Sequence, residues 1–377
     1  MLDLKRQHEA IHGELLEAVK HVLETQQFIL GERVAAFEKA AAEHLGVVHS
    51  VGCSSGTDAL WLALVAAGIG PGTSVVTTPF SFFASVSAIL RAGATAVLAD
   101  IEPVSFNLSP AAVEAVLDGP RGRGVRALLP VHLYGQCAEW SAFARLGRER
   151  GLTLIEDAAQ AWGAEWQGGK AGGLGDAAAF SFYPTKNLSA AGDAGMVATR
   201  SDALAERARA LRQHGMRRRY FHDEVGWNAR MDGFQGAILL VKLKYVEKWN
   251  EGRRRLAERY HALFAKAGLV ETGPYPQHGV VLPRELAGRR HVWHQYAIRV
   301  ERRDALREFL AGRRIGSEIF YPVPLHLQEA LKGLEYVEGD FPEAERAARE
   351  VLALPIFPEL RPDEQQRVVE VIAEFYS

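Results

Sequence analysis

From Gln7 to Glu24 apolar side chains recur at Ile11, Leu15, Val19 and Val22. That helical spacing makes one apolar stripe, so an amphipathic helix is expected to open the chain. Beyond it, short apolar runs alternate with helical periodicity. Strands are expected at Val47–Cys53, Ser74–Thr78, Ala94–Ala99, Ala127–Val131, Thr153–Ile155, Ala177–Phe182 and Met196–Thr199, with helices at Thr57–Ala67, Phe82–Ala92 and Glu139–Arg150. Strands separated by helices are the mark of βαβ units, hence a mostly parallel central sheet. The periodicity of Asp232–Ala267 predicts a long helix leading into a second part of the chain. That part is expected to hold a strand at Gln295–Val300 and helices near Asp304–Ala311, Glu343–Leu352 and Pro362–Tyr376. Gly273–Arg290, rich in glycine and proline, reads as a surface loop. The expected α/β architecture is a large domain over residues 1–245, including the N-terminal helix, and a smaller α+β C-terminal domain over 246–377.

Composition narrows the class. The 377 residues are 48% hydrophobic and 24% charged, as in an ordinary globular enzyme. Lys and Arg total 44 against 46 Asp and Glu, which leaves no electrostatic footprint for nucleic acid or an acidic membrane. Ala59–Gly68, the longest apolar run, is too short to span a bilayer. Two cysteines, Cys53 and Cys137, are too few for a disulfide framework or a zinc cluster, so no metal is expected. Charge in the run Met1 to Gln7 argues against a secretory leader, and a cytoplasmic location is expected.

Three polar clusters fall where strands end, the place where open α/β sheets bind ligands. Ser54 to Leu60 (SSGTDAL) follows a strand and opens a helix, whose free N–H groups suit a phosphate; plain N-capping by Ser55 or Thr57 accounts for it equally simply. Glu156-Asp157 ends another strand. A buried carboxylate requires a cation, either a protonated pyridine nitrogen or a structural arginine. Lys186 lies among turn formers in SFYPTKNL, with GDAG following. A desolvated lysine there has a lowered pKa and attacks aldehydes. Phosphate, cation and aldehyde partners together are the requirements of pyridoxal 5'-phosphate (PLP). No G-x-G-x-x-G follows the first strand, which argues against a nicotinamide enzyme.

The stretches SSGTDAL, TTPFSFFAS, EDAAQA, SFYPTKNL with GDAG, GWNARMDGFQGA and YPVPLHLQ resemble, in this order and over nearly the whole chain, the DegT/DnrJ/EryC1/StrS family of sugar aminotransferases. The resemblance implies a fold type I, PLP-dependent enzyme working as a homodimer with shared active sites. By it, Lys186 is the Schiff-base lysine and Asp157 the partner of the pyridinium nitrogen. Phe82 stacks on the cofactor ring and Gln160 lies beside its phenolic oxygen. Gly56, Thr57 and Ser181 form the phosphate cradle, and Asn228 reaches the phosphate from the other subunit.

The implied substrates are glutamate as amino donor and a nucleotide-linked keto sugar, in amino-sugar or polysaccharide biosynthesis. The SFYPTKNL/GDAG form resembles members that aminate C3; members acting at C4 more often carry His-Ala-Thr-Lys followed by Gly-Glu-Gly-Gly. Arg230, Tyr321 and His326 are candidates for holding the sugar nucleotide, with Phe28, Ile29 and Leu30 approaching from the N-terminal segment. Arg217-Arg218-Arg219 is a further candidate for a diphosphate, although a run of like charges in a loop is usually solvated. His214 and His294 read as ordinary histidines. Trp162 stands where many relatives carry His, and Phe320-Tyr321 where some carry His-Tyr. A sugar dehydratase of the same fold would typically replace Lys186 by His, and a non-catalytic regulator would have no need of Asp157, Lys186 and the cradle together.

Overall fold

In the computed structural model, which describes residues 2–377, leaving Met1 outside the described residues, the central sheet has seven strands: β1 (His49–Cys53), β2 (Ser74–Thr77), β3 (Thr95–Leu98), β4 (Val125–Leu128), β5 (Thr153–Asp157), β6 (Ala177–Ser181) and β7 (Gly195–Thr199). Their order is β1-β7-β6-β5-β4-β2-β3. The pairs from β3 through β2, β4 and β5 to β6 are parallel, whereas β7 runs antiparallel to both β6 and β1. Both faces are covered, so the strands read as continuous apolar runs. Along β6, Ala177 and Ala179 enter the core beneath the helices Gly56–Ala66, Ala84–Arg91 and Asp202–Leu211. Ala178 and Phe180 enter the opposite core, under Gly31–Leu45, Trp140–Arg150 and Gly233–Leu243.

A second, antiparallel sheet is formed by β8 (Val280–Val281), β9 (Tyr296–Val300) and β10 (Val351–Leu354). The side chains of β9 join the same apolar cluster as Leu60 and Trp61 of the large sheet's helix layer. Several boundaries depart from the periodicity reading. The opening helix is two, Leu4–Glu9 and His12–Thr25, because Ile11 turns inward and is buried between them. The long helix also divides, into Gly233–Leu243 and Val246–Lys266. The helix expected over Glu343–Leu352 ends at Glu350, and Val351–Leu352 belong to β10, since the run VLAL completes the second sheet. Gly273–Arg290 is not wholly a surface loop: Val280–Val281 pairs with β9 and is buried. Among the described residues no helix is long and apolar enough to cross a membrane.

Candidate active site

A cavity of about 760 Å³ opens at the carboxyl ends of the parallel strands, the size range of small-molecule sites. The end of β1 contributes its turn. Ser55 is extended (φ −162°, ψ 165°) and its hydroxyl accepts from the Asp58 N–H at 3.1 Å, capping the helix Gly56–Ala66. The N–H groups of the first turn have no intrahelical acceptor, and Gly56 and Thr57 line the cavity. A Cβ on Gly56 would stand 2.5 Å from Cβ of Ser181, and one on Gly195 would stand 2.1 Å from the Ser55 carbonyl oxygen. Glycine at both positions lets the turn, the end of β6 and the start of β7 converge. The hydroxyl of Ser55 does cap, and the same turn faces the cavity.

β5 ends in Glu156 and Asp157, and strand alternation sends them to opposite faces. Glu156 turns away from the cavity into full burial, where it accepts from the backbone of Gly172, Leu174 and Gly175 and pairs with Nε2 of His132 at 3.0 Å. Nδ1 of His132 accepts from the Ala138 N–H, so its hydrogen sits on Nε2 and points at Glu156. Asp157 faces the cavity at 4% exposure. It accepts from the Ser85 hydroxyl at 2.7 Å and the Ala159 N–H at 3.2 Å, and Ser85 in turn lies 2.9 Å from the Ser81 hydroxyl. Burial raises the Asp157 pKa above the usual carboxylate value, and the bonds from Ser85 and Ala159 and the nearby Lys186 oppose the rise. No arginine meets Asp157 among the described residues, so the structural ion pair is not what holds it. The residues around it suit a cationic ring nitrogen.

Lys186 follows β6 through a turn closed by its N–H on the Tyr183 carbonyl at 2.8 Å. Its side chain is half-buried against the cavity, and burial pulls the ammonium down to about 8, with Asp157 pulling the other way. The following Asn187 is anchored to Asn250 Oδ1 at 2.8 Å, the Val292 carbonyl at 3.0 Å and His294 Nδ1 at 3.1 Å. His294 lines the same cavity, and burial first, then Lys186, hold it well below the usual imidazole range. It is a neutral ring at the site and not an ordinary surface histidine. Gln160 accepts from the Tyr134 N–H at 2.7 Å and donates to the Tyr321 hydroxyl at 3.1 Å. Phe82 leaves 60% of its surface open and lines the cavity, with its ring tilted 6.3 Å from that of Tyr321.

The structure thus brings Gly56, Thr57, Phe82, Asp157, Gln160, Ser181, Lys186 and Tyr321 to one cavity. It does not bring the others. Phe28, Ile29 and Leu30 lie along the segment that carries Asn228 and Arg230: Ile29 bridges to Asp232, and the Leu30 N–H bonds the Met231 carbonyl at 3.0 Å. Arg230 Nε donates to Asn228 Oδ1 at 3.0 Å. None of these five lines the cavity of its own chain. His326 is placed differently from expectation. It is buried away from the cavity with Nε2 3.0 Å from Glu345 and its ring edge-on to Phe341, because the LHL turn that carries it folds inward. Trp162 packs on His44, Phe180 and Phe182 in the core, and it does not line the cavity. Ser81, Ser85, His294 and Glu318 escaped the sequence reading. Ser85 sits at the end of the quoted TTPFSFFAS stretch, but nothing in its spacing points to Asp157.

The DegT/DnrJ/EryC1/StrS aminotransferase family model matches residues 9–373. The chain belongs to that family. Members are PLP-dependent aminotransferases, and the cavity fits the cofactor by its own chemistry: a phosphate-suited turn, a buried carboxylate and a lysine of lowered pKa face one space. The chain is 47% identical over 376 residues to the "Pleiotropic regulatory protein" of Geobacillus stearothermophilus, covering 100% of this chain and 98% of that one. It is 40% identical to the UDP-N-acetyl-3-dehydro-alpha-D-glucosamine 3-aminotransferase of Acidithiobacillus ferrooxidans, covering 99% and 96%. It is 41% identical to the dTDP-3-amino-3,4,6-trideoxy-alpha-D-glucose transaminase of Streptomyces venezuelae, covering 99% and 95%. The crystal structure of S. venezuelae DesV superposes with a TM-score of 0.93 at 41% identity, covering 100% of this chain and 97% of that one.

Proposed function

We propose that this aminotransferase moves an amino group from glutamate to C3 of a keto sugar carried on a nucleotide, in the cytoplasm and as a homodimer. The observation that carries the catalytic reading is the convergence of Lys186, Asp157 and the Gly56–Thr57 turn on one cavity. Similarity to proteins named for 3-amino sugars supports the carbon. Bound PLP supplies an electron sink that eases proton loss from the donor's α-carbon. Asp157, held by Ser85 and Ala159, keeps a ring nitrogen protonated. Nζ of Lys186, with a pKa of about 8, would take that α-proton as general base and return it as general acid to the carbon on the far side of the bridging nitrogen. Gly56, Thr57 and Ser181 would hold the phosphate, Phe82 would cover the ring, and Gln160 with Tyr321 would lie beside the phenolic oxygen. The second half-reaction reverses these steps on the ketone.

Charge balance supports shared sites. The cavity's own ionisable lining is Lys186 against Asp157, Asp193 and Glu318, with His294 neutral. Glutamate and a nucleotide diphosphate both bring anions, which require cations. Arg230, Asn228 and the exposed apolar Phe28 and Ile29 lie together outside that cavity, and a second copy of the chain would bring them to it. We take the division of the chain to fall near residue 245, where the helices Gly233–Leu243 and Val246–Lys266 part. The relative named as a regulator does not displace the enzymatic reading, since regulation alone has no use for a desolvated lysine opposite a buried carboxylate.

The test is to incubate the protein with PLP, glutamate and a panel of nucleotide-linked 3-keto and 4-keto sugars. A 3-amino product with matching 2-oxoglutarate is expected by NMR; an amine found only at C4 would overturn the carbon assignment.

A further inference from the structure

Arg91, near the C-terminal end of the helix Ala84–Arg91, lies outside the cavity and beside the phosphate turn. Its guanidinium stands over two indoles, 4.7 Å from the Trp61 ring centre and 5.3 Å from that of Trp227. The indoles meet edge to face at 6.3 Å. Nη1 of Arg91 donates to Oδ1 of Asp58, whose other oxygen accepts from the hydroxyls of Ser54 and Ser55. One cation therefore grips the serines of the phosphate turn through Asp58. It also lies over the ring of Trp227, the residue before Asn228. Trp227 is half-exposed, and Arg91 and Trp61 pack against its ring. The backbone makes the same junction: the Ser54 N–H bonds the Ala229 carbonyl at 3.1 Å, and Cys53 bridges to Arg230.

We infer that Arg91 is a positioning residue for two active sites at once, setting the phosphate turn of its own subunit and the Asn228–Arg230 segment that its subunit lends to the partner. This rests on the shared-site reading above. A guanidinium suits the double task because it is a broad planar cation with several donors; an ammonium can donate and be drawn to one ring, but is too compact to lie over both indoles while it does so.

Hybrid dimers, made by co-expressing two differently tagged chains, separate the two effects. A Lys186→Ala chain cannot anchor the cofactor covalently, so in each hybrid the visible band of lysine-bound PLP reports on the single remaining Lys186. Holo hybrids are dialysed against graded PLP and that band is read, with keto-sugar KM measured alongside. In the reference hybrid, Lys186→Ala is paired with the unaltered chain. When Arg91→Ala is placed on the chain that keeps Lys186, the PLP dissociation constant is expected to rise about tenfold, the worth of one charged hydrogen bond. When Arg91→Ala is placed instead on the Lys186→Ala chain, the site keeps its own Arg91 but receives a loosened segment. PLP affinity or sugar KM is then expected to worsen about tenfold, the worth of a well-formed cation–π stack.

Arg91→Lys should restore the first loss and the second only in part. A fourth hybrid carries Asn228→Ala on the Lys186→Ala chain and reports on site sharing itself. If it is impaired while the second Arg91→Ala hybrid matches the reference, the two-site role of Arg91 is wrong. If both match the reference, the shared-site reading falls and takes this inference with it. Size-exclusion profiles and melting curves of all hybrids establish that the comparison is among folded dimers, and a loss that Arg91→Lys repairs in full in both positions refutes the role of the planar guanidinium.

Discussion

Replacing Lys186 by methionine is expected to stabilise the cofactor-free protein at neutral pH while abolishing the reaction. The lysine is half-buried, and desolvation lowers its pKa from 10.5 to about 8. At 1.36 kcal/mol per pH unit, this corresponds to a penalty of about 3 kcal/mol on the folded state whenever the amine is charged in both states. Below pH 8 the folded and unfolded chains both carry the proton, and the penalty applies in full. Between pH 8 and 10.5 the folded chain releases its proton while the unfolded chain keeps it, and the penalty shrinks. Above 10.5 both are neutral and it is gone. Methionine retains an unbranched stem of similar reach without the charge.

The variant's advantage should therefore be greatest at pH 7 and fade by pH 10.5. About 3 kcal/mol is a ceiling, because Asp157 loses a favourable neighbour when the ammonium goes. Urea unfolding of the two cofactor-free proteins at equal concentration and at a series of pH values reads the difference directly. A variant less stable than its parent at pH 7, or a difference that does not change with pH, would refute the reasoning. In the proposed reaction the same desolvation favours the neutral, reactive amine. At pH 7.5 about a quarter of Lys186 would be neutral, against about one in a thousand for an unperturbed lysine.

Asp157→Asn removes the buried anion proposed to meet a cationic ring nitrogen, and kcat should fall by about a hundredfold or more with the fold intact; circular dichroism beside steady-state kinetics checks both halves. Gly56→Ala puts a methyl group 2.5 Å from the Ser181 Cβ, so it should cost about 1–3 kcal/mol and loosen PLP. Adding Ser181→Gly, which deletes the opposing carbon, should recover much of the stability lost, and a double-mutant cycle that is strictly additive would contradict the contact. Arg253 is buried with Nη1 shared among the carbonyls of Trp293, His294 and Ile356. Arg253→Leu strands those acceptors and should cost about 3–5 kcal/mol by thermal or denaturant unfolding, shifting His294 and thereby the wall beside Lys186.

The alternation of short apolar runs with helical stripes, and the placement of SSGTDAL, EDAAQA and SFYPTKNL at strand ends, were legible without coordinates. They follow from local rules: period two or 3.6, turn chemistry, and the habit of parallel sheets to bind at one edge. Element ends were less legible, because Val351–Leu352 reads as helix until β9 offers it a partner. What only the tertiary structure decided lies at longer range. Ser85 and Asp157 are 72 residues apart, and no spacing announces a hydrogen bond made by two elements folding together. His294 acquires a neutral ring from burial beside Lys186, and His326 loses its place at the site because its turn folds toward Glu345. Asn228 and Arg230 fall in a family motif, and Phe28 to Leu30 lie along the same segment, yet none of them lines its own chain's cavity. A motif records which residues serve a reaction, whereas burial, charge balance and the direction each element faces determine which site they can serve.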